Sequence, residues 1–170
     1  MRADVGATRI EGGLLADLYA SYSTDALKLA YLLTGDRGLA EDLVQDAFVR
    51  MAGRLVHLRA PGGFQAYLRT TIVNMSRSHF RRRAVERRYA ERQSATAAHV
   101  EGPDLSDRDS VRNALLRLPI RQRTAVVLRF YEDMSETQIA EAMRCRPGTV
   151  KSLISRGVAN LRGSEELTQR

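Results

Sequence analysis

Apolar residues recur at helical spacing along most of the chain. Leu14, Leu15, Leu18, Tyr22, Leu29, Leu32 and Leu33 predict a first helix from about Leu14 to Leu33. Thr34-Gly35-Asp36-Arg37-Gly38 is a loop by composition. Leu39, Leu43, Ala47 and Met51 then step by four along a second helix, with Ala40, Val44 and Phe48 beside them. Glu41, Asp42, Gln45, Asp46 and Arg50 fall on its opposite, polar side. Ala60-Pro61-Gly62-Gly63 breaks the chain again. A long third helix runs from Phe64 to Gln93 with Phe64, Leu68, Ile72, Met75 and His79 or Phe80 as its buried stripe. A second stripe on this helix is polar and increasingly basic: Thr70, Val73, Asn74, Arg77 and Arg81, followed by Arg82, Arg83, Arg87 and Arg88.

From Gln93 to about Asp107 the periodicity stops. Small residues, Gly102-Pro103 and several acids replace it, which is the composition of a linker. Beyond it, Val111, Leu115 and Leu118 predict a helix stopped by Pro119. Ala125, Leu128 and Phe130 offer the core face of another. The run Ala125–Leu128 taken alone fits a buried strand as well, but its neighbours are helical and no partner strand is evident. The chain is therefore expected to be all-α. It comprises an N-terminal tail (1–13), a larger helical domain (14–92), a flexible linker (93–108), a smaller helical domain (109–163) and a C-terminal tail (164–170).

The stretch Met134–Leu161 carries the sharpest local signal, that of a helix-turn-helix. Ser135 is a natural N-cap, and Gln138 three residues on completes a capping box. Ile139, Ala140 and Met143 share one face, Arg144-Cys145-Arg146 makes the turn, and Pro147 suits the first position of a second helix. Val150 and Ile154 anchor that helix inward. Thr149, Lys151, Ser152, Ser155 and Arg156 are left facing out, short hydroxyls and two cations of the kind that reach phosphates and base edges.

Composition narrows the partner. The chain has 170 residues and a formal net charge of +7, with a sequence pI near 10.2. That balance favours a polyanion, and the arginine run on the third helix continues a polar face holding Asn74 and hydroxyls, which favours nucleic acid. Lys28 and Lys151 are the only lysines, and arginine is the better residue for bidentate phosphate and guanine contacts. No apolar run is long enough to span a bilayer, and the first residues lack the apolar core of a signal peptide, so a cytoplasmic protein without membrane insertion is expected. Cys145, the one cysteine, excludes an internal disulfide and reads as a small apolar turn residue rather than a redox switch. His57, His79 and His99 are scattered, without metal-ligand spacing, and there is no phosphate-binding glycine-lysine loop. No catalytic residue, cofactor or metal site is expected. The acidic face of the second helix reads either as solvated surface or as a docking surface for another protein.

These residues resemble the sigma-70 family, and within it the short extracytoplasmic-function (ECF, group IV) sigma factors, with details similar to the SigE-like actinobacterial type. AEDLVQDAFVRM resembles the helix that docks on the polymerase clamp, AYLRTTIVNMSRSHFRRR the stretch that melts and reads the −10 promoter element, and LPIRQRTAVVLRFYEDMSETQIAEAMRCRPGTVKSLISR the module that reads the −35 element. The resemblance implies that the two domains are sigma-2 and sigma-4, and that the protein is a dissociable specificity subunit rather than an enzyme. It implies core RNA polymerase (clamp and flap regions), promoter DNA and an anti-sigma factor as partners. Position by position, it implies core binding by Asp42, Gln45, Asp46 and Phe48. Thr70, Asn74, Arg77 and Arg81 would make −10 contacts. Arg146, Thr149, Lys151, Ser152, Ser155 and Arg156 would make −35 contacts. By analogy the acidic linker, with Glu101, Asp104, Asp107 and Asp109, either threads a positive path in the polymerase or is an ordinary tether. The chain departs from the family in three places: Arg144 where glycine is usual, Leu153 at a recognition position more often polar, and His79 where a larger aromatic is common. A stand-alone helix-turn-helix regulator, binding operator half-sites as a dimer, is the competing reading.

Overall fold

The computed structural model describes the backbone of residues 4–53, 62–93 and 110–168, and the side chains of 13–53, 62–90 and 111–163. Ala60-Pro61, the linker acids Glu101, Asp104, Asp107 and Asp109, and His57 and His99 lie outside the described residues. The described chain consists of seven helices and no strand. They are α1 (Asp4–Thr34), α2 (Arg37–Ala52), α3 (Gly63–Gln93), α4 (Ser110–Arg117), α5 (Ile120–Phe130), α6 (Glu136–Met143) and α7 (Pro147–Thr168). The all-α expectation holds, and the ambiguous Ala125–Leu128 run lies inside α5.

Both end helices run past the apolar pattern that announces them. α1 begins at Asp4, ten residues before Leu14, and α7 continues to Thr168. A helix nucleated by its packed part propagates at little cost per residue, so its ends outrun the buried stripe from which periodicity is read.

By contacts the chain divides into two compact units, Met1–Val73 and Asn74–Arg170. In the first, α1 contributes Ala26, Leu29, Ala30 and Leu33 to a core closed by Leu43, Val44, Ala47 and Met51 of α2 and by Phe64, Leu68 and Ile72 of α3. Burying a Leu- or Ile-sized side chain contributes about 1.5–3 kcal/mol. Asp36 caps α2, its carboxylate accepting the Leu39 N–H at 3.0 Å. Gly35, at φ +74°, supplies the left-handed residue that lets α1 turn into α2.

In the second unit α5 is the central element. Residues Arg123 to Leu128 are all buried, beneath α7 on one side and α6 on another. Its Arg123 is unusual in being buried, and its donors go to the end of α4. Nε donates to the Leu115 carbonyl at 3.0 Å, and Nη2 to those of Leu116 at 2.8 Å and Leu118 at 3.2 Å. These carbonyls lie at a helix C-terminus, where intrahelical donors run out; that of Leu115 also accepts the Leu118 N–H at 3.1 Å. The same guanidinium lies 5.7 Å from the ring centroid of Phe80 on α3. Burial pushes the Arg123 pKa down to about 10, still leaving it charged at neutral pH.

Three apolar residues of the expected stripes are exposed: Leu14 at 46%, Val111 at 71% and Phe130 at 67%. Val111 and Phe130 each stand at a helix end, where the helical stripe has moved beyond the reach of a neighbouring element.

Candidate nucleic-acid interface

The helix-turn-helix forms as its sequence predicts. Ser135 Oγ accepts the Gln138 N–H at 3.2 Å, and Gln138 Oε1 accepts the Ser135 N–H at 2.8 Å, so both halves of the capping box are made. α6 ends at Arg144, which sits in the left-handed region at φ 52°, ψ 54°. Its N–H reaches the Glu141 carbonyl at 3.1 Å, and the Cys145 N–H reaches that of Ala140 at 2.9 Å. The missing glycine therefore leaves the turn intact. Arginine carries a left-handed strain of about 1–2 kcal/mol, offset by these two bonds.

α7 is seated by Val150, fully buried, and by Gly157, which lies against α5. Asn160 Nδ2 donates to Gln122 Oε1 at 2.9 Å, tying the next turn to the same helix. With that side fixed, Arg146, Lys151, Ser152, Ser155 and Arg156 are exposed and Thr149 is half-buried. All six candidate −35 residues therefore lie at or near one surface. Ser152 Oγ donates to the Gly148 carbonyl at 3.0 Å, which leaves its oxygen free to accept. Leu153 is half-buried, so it is divided between packing and the recognition face.

On α3, Thr70 and Asn74 are half-buried and Arg81 is exposed. Arg77 differs from the expectation of a free cation. Its Nη1 donates to the Met143 carbonyl at the end of α6, at 2.6 Å. Burial pushes its pKa below the ordinary guanidinium range, and the neighbouring Arg121, Arg81 and Arg144 push the same way. His79 is half-buried with its ring edge-on to Phe80, centroids 5.6 Å apart.

The acidic face of α2 is exposed at Glu41, Asp42, Gln45 and Asp46. Arg37 Nε holds Glu41 at 2.9 Å. Phe48 does not belong to this face and is a correction to the expected set. It is only 4% exposed, its ring meeting Tyr19 at 4.9 Å and Phe64 at 5.8 Å between centroids. An aromatic side chain buries 150–250 Å², and that demand places it in the core. The residue that sequence reasoning passed over is Val49, 67% exposed. With Asp42, Gln45 and Asp46 it completes an i, i+3, i+4, i+7 row. An apolar residue on the polar side of the helical wheel was the signal available.

Among the described residues no three His, Cys, Asp or Glu side chains gather as a metal site, and no helix is long and apolar enough to cross a membrane.

Two family descriptions match the chain: Sigma-70 region 2 over residues 18–86 and Sigma-70, region 4 over residues 108–161. The RNA polymerase sigma-E factor of Streptomyces avermitilis is 35% identical over 153 residues, covering 89% of this chain and 84% of that protein. The ECF RNA polymerase sigma factor SigE of Mycolicibacterium smegmatis is 33% identical over 153 residues, covering 86% of this chain and 59% of that one. Among solved structures, the sigma factor RpoE in complex with the anti-sigma factor NepR from Bartonella quintana is similar with a TM-score of 0.69 and 25% identity. That match covers 87% of this chain and 94% of the other.

Proposed function

The chain belongs to the sigma-70 family, in its ECF, SigE-like group, and from that premise we propose how its surfaces divide the work of promoter selection. A sigma factor binds core RNA polymerase, directs it to promoters by reading −35 and −10 elements, and promotes melting. In this chain the α7 face of Arg146, Thr149, Lys151, Ser152, Ser155 and Arg156 enters the major groove of the −35 element. The α3 face of Thr70, Asn74 and Arg81 receives the −10 strand, with Asn74 hydrogen-bonding an unstacked base. Arg77 joins it on release from the Met143 carbonyl. The α2 row of Asp42, Gln45, Asp46 and Val49 docks on the polymerase clamp. The domains carrying these faces are residues 14–92 and 109–163, joined by the linker 93–108.

The observation that carries this reading is the coexistence of two opposite surfaces. A capped helix-turn-helix presents exposed cations and hydroxyls, while α2 presents an exposed acidic row that would be repelled by DNA. A stand-alone operator-binding protein has no use for the second. On this reading the protein is a cytoplasmic specificity subunit and not an enzyme. The Bartonella quintana sigma factor was solved with an anti-sigma factor bound. We take this chain to be restrained by a partner of the same kind.

Run-off transcription with purified core polymerase and this chain tests the function. Wild type should initiate from discrete sites, and Lys151→Ala/Arg156→Ala should reduce initiation at promoters that need a −35 element. Unaltered initiation by the double variant would remove the recognition face. DNA binding by the isolated chain with indifference to core polymerase would remove the function itself.

A further inference from the structure

The strip of α7 that faces DNA in the reading above contains one side chain that cannot make a hydrogen bond. Thr149, Ser152, Leu153 and Arg156 are spaced i, i+3, i+4, i+7, which is one strip of helix surface. Ser152 and Arg156 are exposed, while Thr149 and Leu153 are half-buried. Val150 and Gly157, both buried, mark the side on which the helix is seated. At 3.6 residues per turn Leu153 lies about 60° round the axis from Val150. Thr149 follows in the same direction about 40° beyond it, and Arg156 about 60° beyond it. Leu153 therefore forms the edge of the recognition face, where the buried seat passes into polar surface. Asn160, about 20° away and two turns on, ties that edge to Gln122 of α5. The leucine stands on a supported rim.

In the major groove guanine, adenine and cytosine present hydrogen-bonding groups, and only thymine adds an apolar one, the methyl on C5. A leucine tip set against the other three would cover polar atoms and return no bond to them, which is unfavourable. The C5 methyl stands on the side of the base nearer its own strand, where the flank of an inserted helix passes. A half-buried leucine has already given up rotamer freedom on folding, so a contact at its tip needs little further ordering. We infer that Leu153 is a specificity-determining residue, packing on the 5-methyl group of a thymine in the −35 element. The inference rests on the promoter-reading function above and narrows its target. The −35 element of this chain holds one thymine selected by its methyl group, beside the polar contacts of Thr149, Ser152 and Arg156.

The test uses the full chain assembled with core polymerase, as wild type, Leu153→Met, Leu153→Gln and Leu153→Ala. A promoter mapped by run-off transcription is randomised across its −35 element and selected for binding. Wild type and Leu153→Met should enrich thymine at one position where Leu153→Gln and Leu153→Ala do not. At that position thymine is then exchanged for deoxyuridine, which differs only by the missing methyl. Wild type should bind the thymine duplex about fourfold more tightly, the effect of burying one methyl-sized group. Leu153→Met should keep most of that preference, and Leu153→Gln and Leu153→Ala should bind the two duplexes alike. Each preference is a ratio within one variant, so a smaller folded fraction cancels. A thymine preference that survives in Leu153→Ala overturns the inference, as does a pool in which no thymine depends on Leu153. Either result gives the leucine to packing alone and leaves the −35 reading standing. A wild-type assembly that selects no −35 sequence at all strikes the −35 reading and the inference together.

Discussion

Gly157 of α7 and Val126 of α5 meet so closely that a β-carbon on Gly157 would stand 2.6 Å from Val126 Cγ2. The recognition helix is therefore held against its support at a distance that only glycine permits. Val126 is buried and β-branched, so it has no easy rotamer escape.

Gly157→Ala should destabilise the C-terminal unit by about 1–2 kcal/mol, overpacking outweighing the gain of about 1 kcal/mol in helix propensity. Gly163, further along the same helix with nothing within 4 Å of its would-be β-carbon, supplies the control. Gly163→Ala should be neutral or stabilising. The thermal melt should fall for Gly157→Ala and hold or rise for Gly163→Ala; an equal fall in both would contradict the close approach.

Arg123→Met should cost about 3 kcal/mol, because it keeps the volume but leaves the carbonyls of Leu115, Leu116 and Leu118 without their charged donor. Arg123→Lys should recover only part of this, an ammonium having no planar fork to span carbonyls spread over the end of α4. Burial holds the folded pKa near 10, below that of the unfolded chain. Both states are protonated below that value, so the contribution of Arg123 should be flat from pH 6 to 9. Stability from this residue should rise only as pH passes about 10, where the unfolded chain still holds the proton. Urea melts across that range check both statements.

Ser135→Ala removes the acceptor for the Gln138 N–H and should cost about 1 kcal/mol. Gln138→Ala, which removes only the return bond, should cost less. The effect should appear in −35-dependent transcription mainly at elevated temperature, where α6 begins to fray; a larger loss at low temperature would show that Ser135 does more than cap.

Asp46→Lys and Val49→Asp should each weaken core-polymerase binding about tenfold or more, the scale of an interface residue worth over 1 kcal/mol. Phe48→Ala should instead lower thermal stability by about 3–5 kcal/mol, as the loss of a buried aromatic does. Competition binding and melting curves separate the two. Equal behaviour at positions 48 and 49 would undo the assignment of one to the core and the other to the surface.

Much of the site was legible because it depends on local rules. Ser135, Gln138, Pro147 and Val150 each act within a few residues of themselves, so capping and turn chemistry placed the helix-turn-helix before any coordinates. The acidic row Asp42–Asp46 follows in the same way from one helical period. Phe48 and Val49 are separable by the same period, Phe48 falling beside the apolar row and Val49 on the polar side; what the tertiary structure adds is that the rings of Tyr19 and Phe64 hold Phe48 in the core.

By itself the sequence determined the helices, the turn chemistry, the charge of each exposed face and the family to which those faces belong. The tertiary structure alone decided that Arg77 is occupied by the Met143 carbonyl, that Arg123 serves the end of α4, and that Gly157 leaves room for Val126. The physical reason is range: helix periodicity and capping act over three or four residues, whereas a buried donor and a missing β-carbon have meaning only once a distant segment arrives beside them.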